Sequence, residues 1–67
     1  MKQLTKTCFT SDDNYVGCAR TKDGQFAYME NDPTGIRIIK IVSTLWTAKL
    51  FIQEYEEAMA EFWEIFE

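Results

Sequence analysis

The stretch from Leu45 to Phe66 constrains this chain more than any other. Leu45, Ala48, Ile52, Tyr55, Met59, Phe62 and Phe66 recur at intervals of three and four, with Phe51, Ala58 and Ile65 beside them, which makes a wide apolar stripe at helical period. Neither Gly nor Pro interrupts the run, good helix formers fill much of it, and Ser43 or Thr44 can place a capping oxygen ahead of the first turn. At a rise of about 1.5 Å per residue such a helix is roughly 30 Å long, enough to cross a small sheet.

A second row, Glu54, Glu57, Glu61 and Glu64, follows the same period on the outer side of the helix. Trp46 and Leu50 also fall on that outer side near the start, and Trp63 lies at the edge of the apolar stripe. Loops can cover such residues, since single exposed hydrophobes are common, but Trp is also enriched among the anchors of protein interfaces. The charge is correspondingly uneven. Residues 45–67 hold six Glu against Lys49 alone, whereas residues 1–44 hold six Lys or Arg against five Asp or Glu, for a net charge of −4. An acidic helix face repels duplex DNA and anionic membrane and attracts a basic protein surface over about a Debye length.

Ahead of the helix the chain reads as sheet. Residues 2–10 and 15–21 have extended character around the polar break Ser11-Asp12-Asp13-Asn14, and Lys22-Asp23-Gly24-Gln25 carries the Asp-Gly hairpin signal. With Asp23 and Gly24 as a two-residue turn, Thr21 faces Phe26, Ala19 faces Tyr28 and Cys18 faces Met29. Pro33 and Gly35 punctuate a further turn before Ile36-Arg37-Ile38-Ile39-Lys40-Ile41-Val42, a strand with apolar groups on both faces. The expectation is one α+β domain over residues 1–67: an antiparallel meander of three to four strands in residues 2–43, with a helix over 45–66 packed on one face. If Val16, Cys18, Ala27 and Met29 face the helix, then Phe9, Tyr15, Phe26 and Tyr28 crowd the other side, and the opposite choice exchanges the two patches. Either way one helix leaves apolar sheet uncovered, and uncovered apolar area marks an interaction surface.

Chemistry has few footholds. Histidine is absent, which removes the commonest general base and metal ligand together. The glycines at 17, 24 and 35 form no phosphate loop. Asp12-Asp13 and Glu56-Glu57 lie in polar surroundings and read as solvated charge. Asp12, Asn14, Gly17 and Asp23 fit positions 1, 3, 6 and 12 of a calcium loop, but Val16 occupies a ligand position and the closing Glu is missing. Cys8 and Cys18 can sit opposite one another in the first hairpin, although reduced cysteines serving as small hydrophobes are the plainer expectation. No catalytic residue, metal or cofactor is therefore expected, and the chain does not read as an enzyme. The start of the chain has no apolar leader and no stretch is long enough to span a membrane, so the expected location is the cytoplasm.

Three functions remain. At 67 residues, acidic and 46% apolar, the chain is similar in size and charge to the small proteins with which phages and mobile elements inhibit host enzymes, including anti-CRISPR and DNA-mimic inhibitors. That resemblance implies docking on a larger protein with a basic, nucleic-acid-handling surface, with Glu54, Glu57, Glu61 and Glu64 in place of phosphates. A homodimer joined through the apolar surface (Trp46, Leu50, Phe9, Tyr15, Phe26 and Tyr28) is the second. The third is a weak binder of single-stranded nucleic acid, in which Lys6, Arg20, Lys22, Arg37 and Lys40 meet phosphates and Phe9, Phe26 and Tyr28 stack on bases.

Overall fold

The computed structural model describes residues 1–65; Phe66, the last residue of the expected stripe, and Glu67 lie outside the described residues. The elements in chain order are β1 (Lys2–Gln3), β2 (Phe9–Thr10), β3 (Val16–Arg20), β4 (Phe26–Asp32), β5 (Gly35–Val42) and α1 (Leu45–Ile65). The strands form one antiparallel sheet in the order β1-β2-β3-β4-β5, and α1 packs across β3, β4 and β5. This is the expected α+β meander with a carboxyl-terminal helix. The sheet has five strands rather than three to four, because the first extended run breaks in two. The amides of Leu4 and Thr5 both donate to the Cys8 carbonyl, at 2.9 and 3.2 Å, and fold β1 back along β2.

The turns fix which residues face the helix. Between β3 and β4, Gly24 adopts φ +83° and its amide donates to the Thr21 carbonyl, while the Thr21 amide donates to the Gln25 carbonyl at 2.8 Å. Three residues, Lys22 to Gly24, therefore span the turn, the longer of the two common Asp-Gly solutions, in which Gly alone takes the left-handed position. Arg20 pairs with Phe26, Ala19 with Ala27 and Cys18 with Tyr28, so each pairing expected from a two-residue turn is off by one. A one-residue slip exchanges the two sides of a strand. The proposed division of faces is thereby corrected: Phe9, Val16, Cys18, Phe26 and Tyr28 share the helix side, and Ala27 and Met29 lie on the other.

A bulge sorts β5. Tyr28 pairs with Lys40 but Met29 pairs with Ile38, which leaves Ile39 as an extra residue. The alternation resets there. Arg37, Lys40 and Val42 share the side of Tyr28 and Phe26, whereas Ile36, Ile38 and Ile41 line up with Asn31, Met29 and Ala27 on the far side. The strand that reads as apolar on both faces is thus apolar mainly on one.

Thr44 caps α1, its hydroxyl accepting the Thr47 amide at 3.2 Å. Ala48 and Ile52 are fully buried against Phe9, Val16 and Cys18, with Phe26, Tyr28, Val42, Leu45 and Tyr55 around them. Complete burial of Ile52 alone contributes about 2 kcal/mol. The stripe expected to pack as far as Phe62 makes its core contacts only as far as Tyr55, with Met59 half-buried, and every residue from Ala60 to Ile65 is exposed. A helical segment exposed on all sides has no sheet beneath it. Among the described residues no helix is long and apolar enough to cross a membrane.

Candidate functional site

Two surfaces have the composition of contact sites, and they lie on opposite layers. The first is the outer side and far end of α1. Glu54, Glu57, Glu61 and Glu64 are all exposed, and among the described residues no cation stands within ion-pair distance of them; the Met1 ammonium pairs instead with Asp12 and Glu56, and Arg37 with Glu30 on the sheet. Each Glu is three or four residues from the next, so neighbouring carboxylates repel. No basic residue occupies the last turn, where a cation would complement the helix dipole and Glu61 and Glu64 oppose it. Trp63, 60% exposed, stands with Asp12, Asp13, Tyr55, Glu56 and Met59 around an open recess of about 230 Å³. Trp46 is 70% exposed at the other end, and Leu50 is half-buried.

The loop before β3 supplies the wall of that recess, held by hydrogen bonds that meet at Asp13. One carboxylate oxygen accepts from the Ser11 hydroxyl at 2.5 Å and the Tyr15 amide at 3.0 Å, and the other accepts from the Tyr55 hydroxyl at 2.6 Å. Burial pushes the Asp13 carboxyl up, but the donated hydrogen bonds outweigh it and hold the group below the usual carboxylate range. Burial and the bond to Asp13 both push the Tyr55 phenol up. Tyr15 stacks on Tyr55 with ring centres 5.8 Å apart, and its hydroxyl donates to Glu30, which also accepts from Arg37 at 3.2 Å. Tyr15 is therefore a tie between loop, sheet and helix.

The second surface is the sheet face that α1 does not cover. Ile36, Ile38 and Ile41 are 50 to 71% exposed on it, and the bulge residue Ile39 is 48% exposed beside them in the chain. Beside them, Cys8, Thr10, Gly17, Met29, Asn31 and Ile36 line a shallow groove of about 240 Å³. Gly17 keeps that groove open: a Cβ there would stand 2.8 Å from the Phe9 carbonyl oxygen and 3.1 Å from the Thr10 methyl. The isoleucines were not among the residues expected to contact a partner, because the bulge that gathers them leaves no mark in the sequence beyond imperfect alternation.

Three of the aromatic contact residues expected from sequence are placed differently by the structure. Phe9 is buried under α1, with the Lys49 ammonium 4.5 Å from its ring centre. Tyr28 is half-buried against Phe51, ring centres 5.4 Å apart, and Phe26 is half-buried at the edge of the core. A base cannot stack on them while the helix is in place. Lys40 likewise leans over Phe51, at 5.4 Å. The cysteines do not face one another: Phe9 pairs with Cys18, both thiols are free, and burial pushes the Cys18 thiol up. Asp12, Asn14, Gly17 and Asp23 are spread over two hairpins, and among the described residues no three acidic or cysteine side chains gather as a metal site would need. Comparison with protein-family models, curated proteins and solved structures finds no match for the chain.

Proposed function

We propose that this protein is a non-catalytic binding module that inhibits or regulates a larger protein with a basic, nucleic-acid-handling surface, in the manner of small phage and mobile-element inhibitors. The observation that supports it most is the far half of α1, where unpaired glutamates run along a segment free of the sheet. Intramolecular forces work against that segment, since its carboxylates repel one another and oppose the helix dipole. A cationic groove relieves both, and spaced carboxylates on a rigid rod present charge much as a phosphate backbone does. The exposed Trp63 indole at the edge of the glutamate row can pack on the stem of an arginine or lysine side chain.

The test is capture from a host lysate by the wild-type chain and by Glu57→Lys/Glu61→Lys, with duplex DNA as competitor. The reading expects a nucleic-acid-handling protein that the wild type retains, DNA displaces and the charge-reversed variant fails to hold, although the variant keeps its helical circular dichroism. Capture of that protein with equal strength by both chains contradicts it.

A further inference from the structure

We infer that the uncovered sheet face is closed by a second copy of this chain, sheet against sheet, with the two helices outermost. The inference rests on the sheet alone and stands apart from the role of the glutamates.

Charge comes first. The register puts every charged side chain of β3, β4 and β5 (Arg20, Glu30, Asp32, Arg37 and Lys40) on the helix side. The bulge at Ile39 is what moves Lys40 there. The open side of these strands holds Gly17, Ala19, Ala27, Met29, Asn31, Ile36, Ile38 and Ile41, none of them charged, and the charge on that side, Lys2 opposite Thr10, stands at the far edge of the sheet, with three strands between it and the isoleucines. A two-fold axis sets a patch against itself, so like charges at its centre are prohibitive and a neutral patch is compatible. The acidic helix side fails that condition and the sheet side meets it. A basic heterologous partner, in turn, has nothing to pair with on the sheet side.

Shape and area agree. The ridge of Ile38 and Ile41 lies beside the groove floored by Gly17 and walled by Met29 and Ile36, so a two-fold rotation can offer the ridge of each copy to the groove of the other. Ile36, Ile38 and Ile41, 50 to 71% exposed, leave roughly 300 Å² of apolar side chain bare per copy, comparable to the largest apolar patch of an ordinary monomer, which is often an interaction site. Pairing removes at most about 600 Å² from these side chains, and Met29, Thr10 and the flanking backbone add to it, which puts the contact at the low end of the size scale, where association is weak. Edge-to-edge pairing through β5 is the weaker geometry, because a bulge interrupts that edge and the charged Arg37 and Lys40 stand on the same strand. Face-to-face packing at a sheet separation of about 10 Å needs no free edge.

Sedimentation velocity on the intact chain tests this. The wild type should sediment at twice 7.9 kDa in the tens of micromolar, roughly the range of a modest apolar interface. Ile38→Glu, which buries an unpaired charge only in the dimer, should weaken association at least about a hundredfold. Because that variant can also be misfolded, mixed-label wild-type samples give a second reading: methyl cross-peaks between copies should connect Ile38 or Ile41 with Met29. A wild type that stays monomeric to about 1 mM, a dimer untouched by Ile38→Glu in a folded variant, or cross-peaks between copies that involve only helix residues overturns the inference.

Discussion

Asp13 accepts three hydrogen bonds, one of them from the helix residue Tyr55, and so ties the loop before β3 to α1. Its carboxyl is held below the ordinary 3.8 in the folded protein, so the unfolded chain binds more protons over that range. The stability it contributes is complete above the ordinary value and disappears as the pH falls through the lowered one. Asp13→Asn should cost about 1 kcal/mol at neutral pH, discounted for exposure. Urea titrations should show the gap between wild type and variant closing as the pH falls below the ordinary carboxylate value. Gly17 is the other residue on which local geometry turns. Its replacement by Ala sets a methyl 2.8 Å from a backbone oxygen, which cannot move without disturbing the pairing of β2 with β3. The expected loss is about 1 to 3 kcal/mol in the same titration.

At the scale of elements, α1 is two segments with different partners. Its first half is held by the sheet through Ala48 and Ile52, and its second lies beyond the sheet, next to the loop of Asp12 and Asp13 and tied to the amino terminus through Glu56. Glu61→Lys removes two like-charge contacts and places a cation where the dipole favours one, so it should stabilise the protein by about 0.5 kcal/mol. A thermal melt should show the midpoint rising by about 2 to 4 °C. The same change should weaken partner capture, and a residue that costs stability while serving binding is what a functional surface predicts. The elements also show what the sequence could and could not convey. The spacing of Leu45 to Tyr55, the Thr44 cap and the glutamate row are local and periodic, and they were legible. The Asp-Gly turn was legible as a turn, but two-residue and three-residue loops share that dipeptide, and the difference of one residue turned Phe26 and Tyr28 from surface to core. The isoleucine face was hidden for a related reason, since a bulge is set by pairing across strands. The free end of α1 stayed hidden because an apolar stripe says which side of a helix is greasy but not how far a sheet extends beneath it.

A folded unit of about this length, 67 residues, buries only about 60% of the surface of its unfolded chain. Five fully or nearly buried residues form its core cluster, so its stability alone should be modest. Association through the open face would add to it by mass action. The midpoint of thermal unfolding should therefore rise by several degrees when the protein concentration is raised about a hundredfold, whereas an isolated monomer would melt at a constant temperature. The account of both surfaces starts from one structural arrangement: α1 covers the face that carries Phe9, Cys18 and Tyr28, with its glutamates turned outward, and leaves uncovered the face that carries Met29, Ile38 and Ile41. A nuclear Overhauser spectrum of the folded chain reads that arrangement directly. It should show cross-peaks between the Tyr28 and Phe51 rings and between the Phe9 ring and the Lys49 side chain; cross-peaks joining Phe51 to Met29 and Ile38 instead would mean that the opposite face is covered.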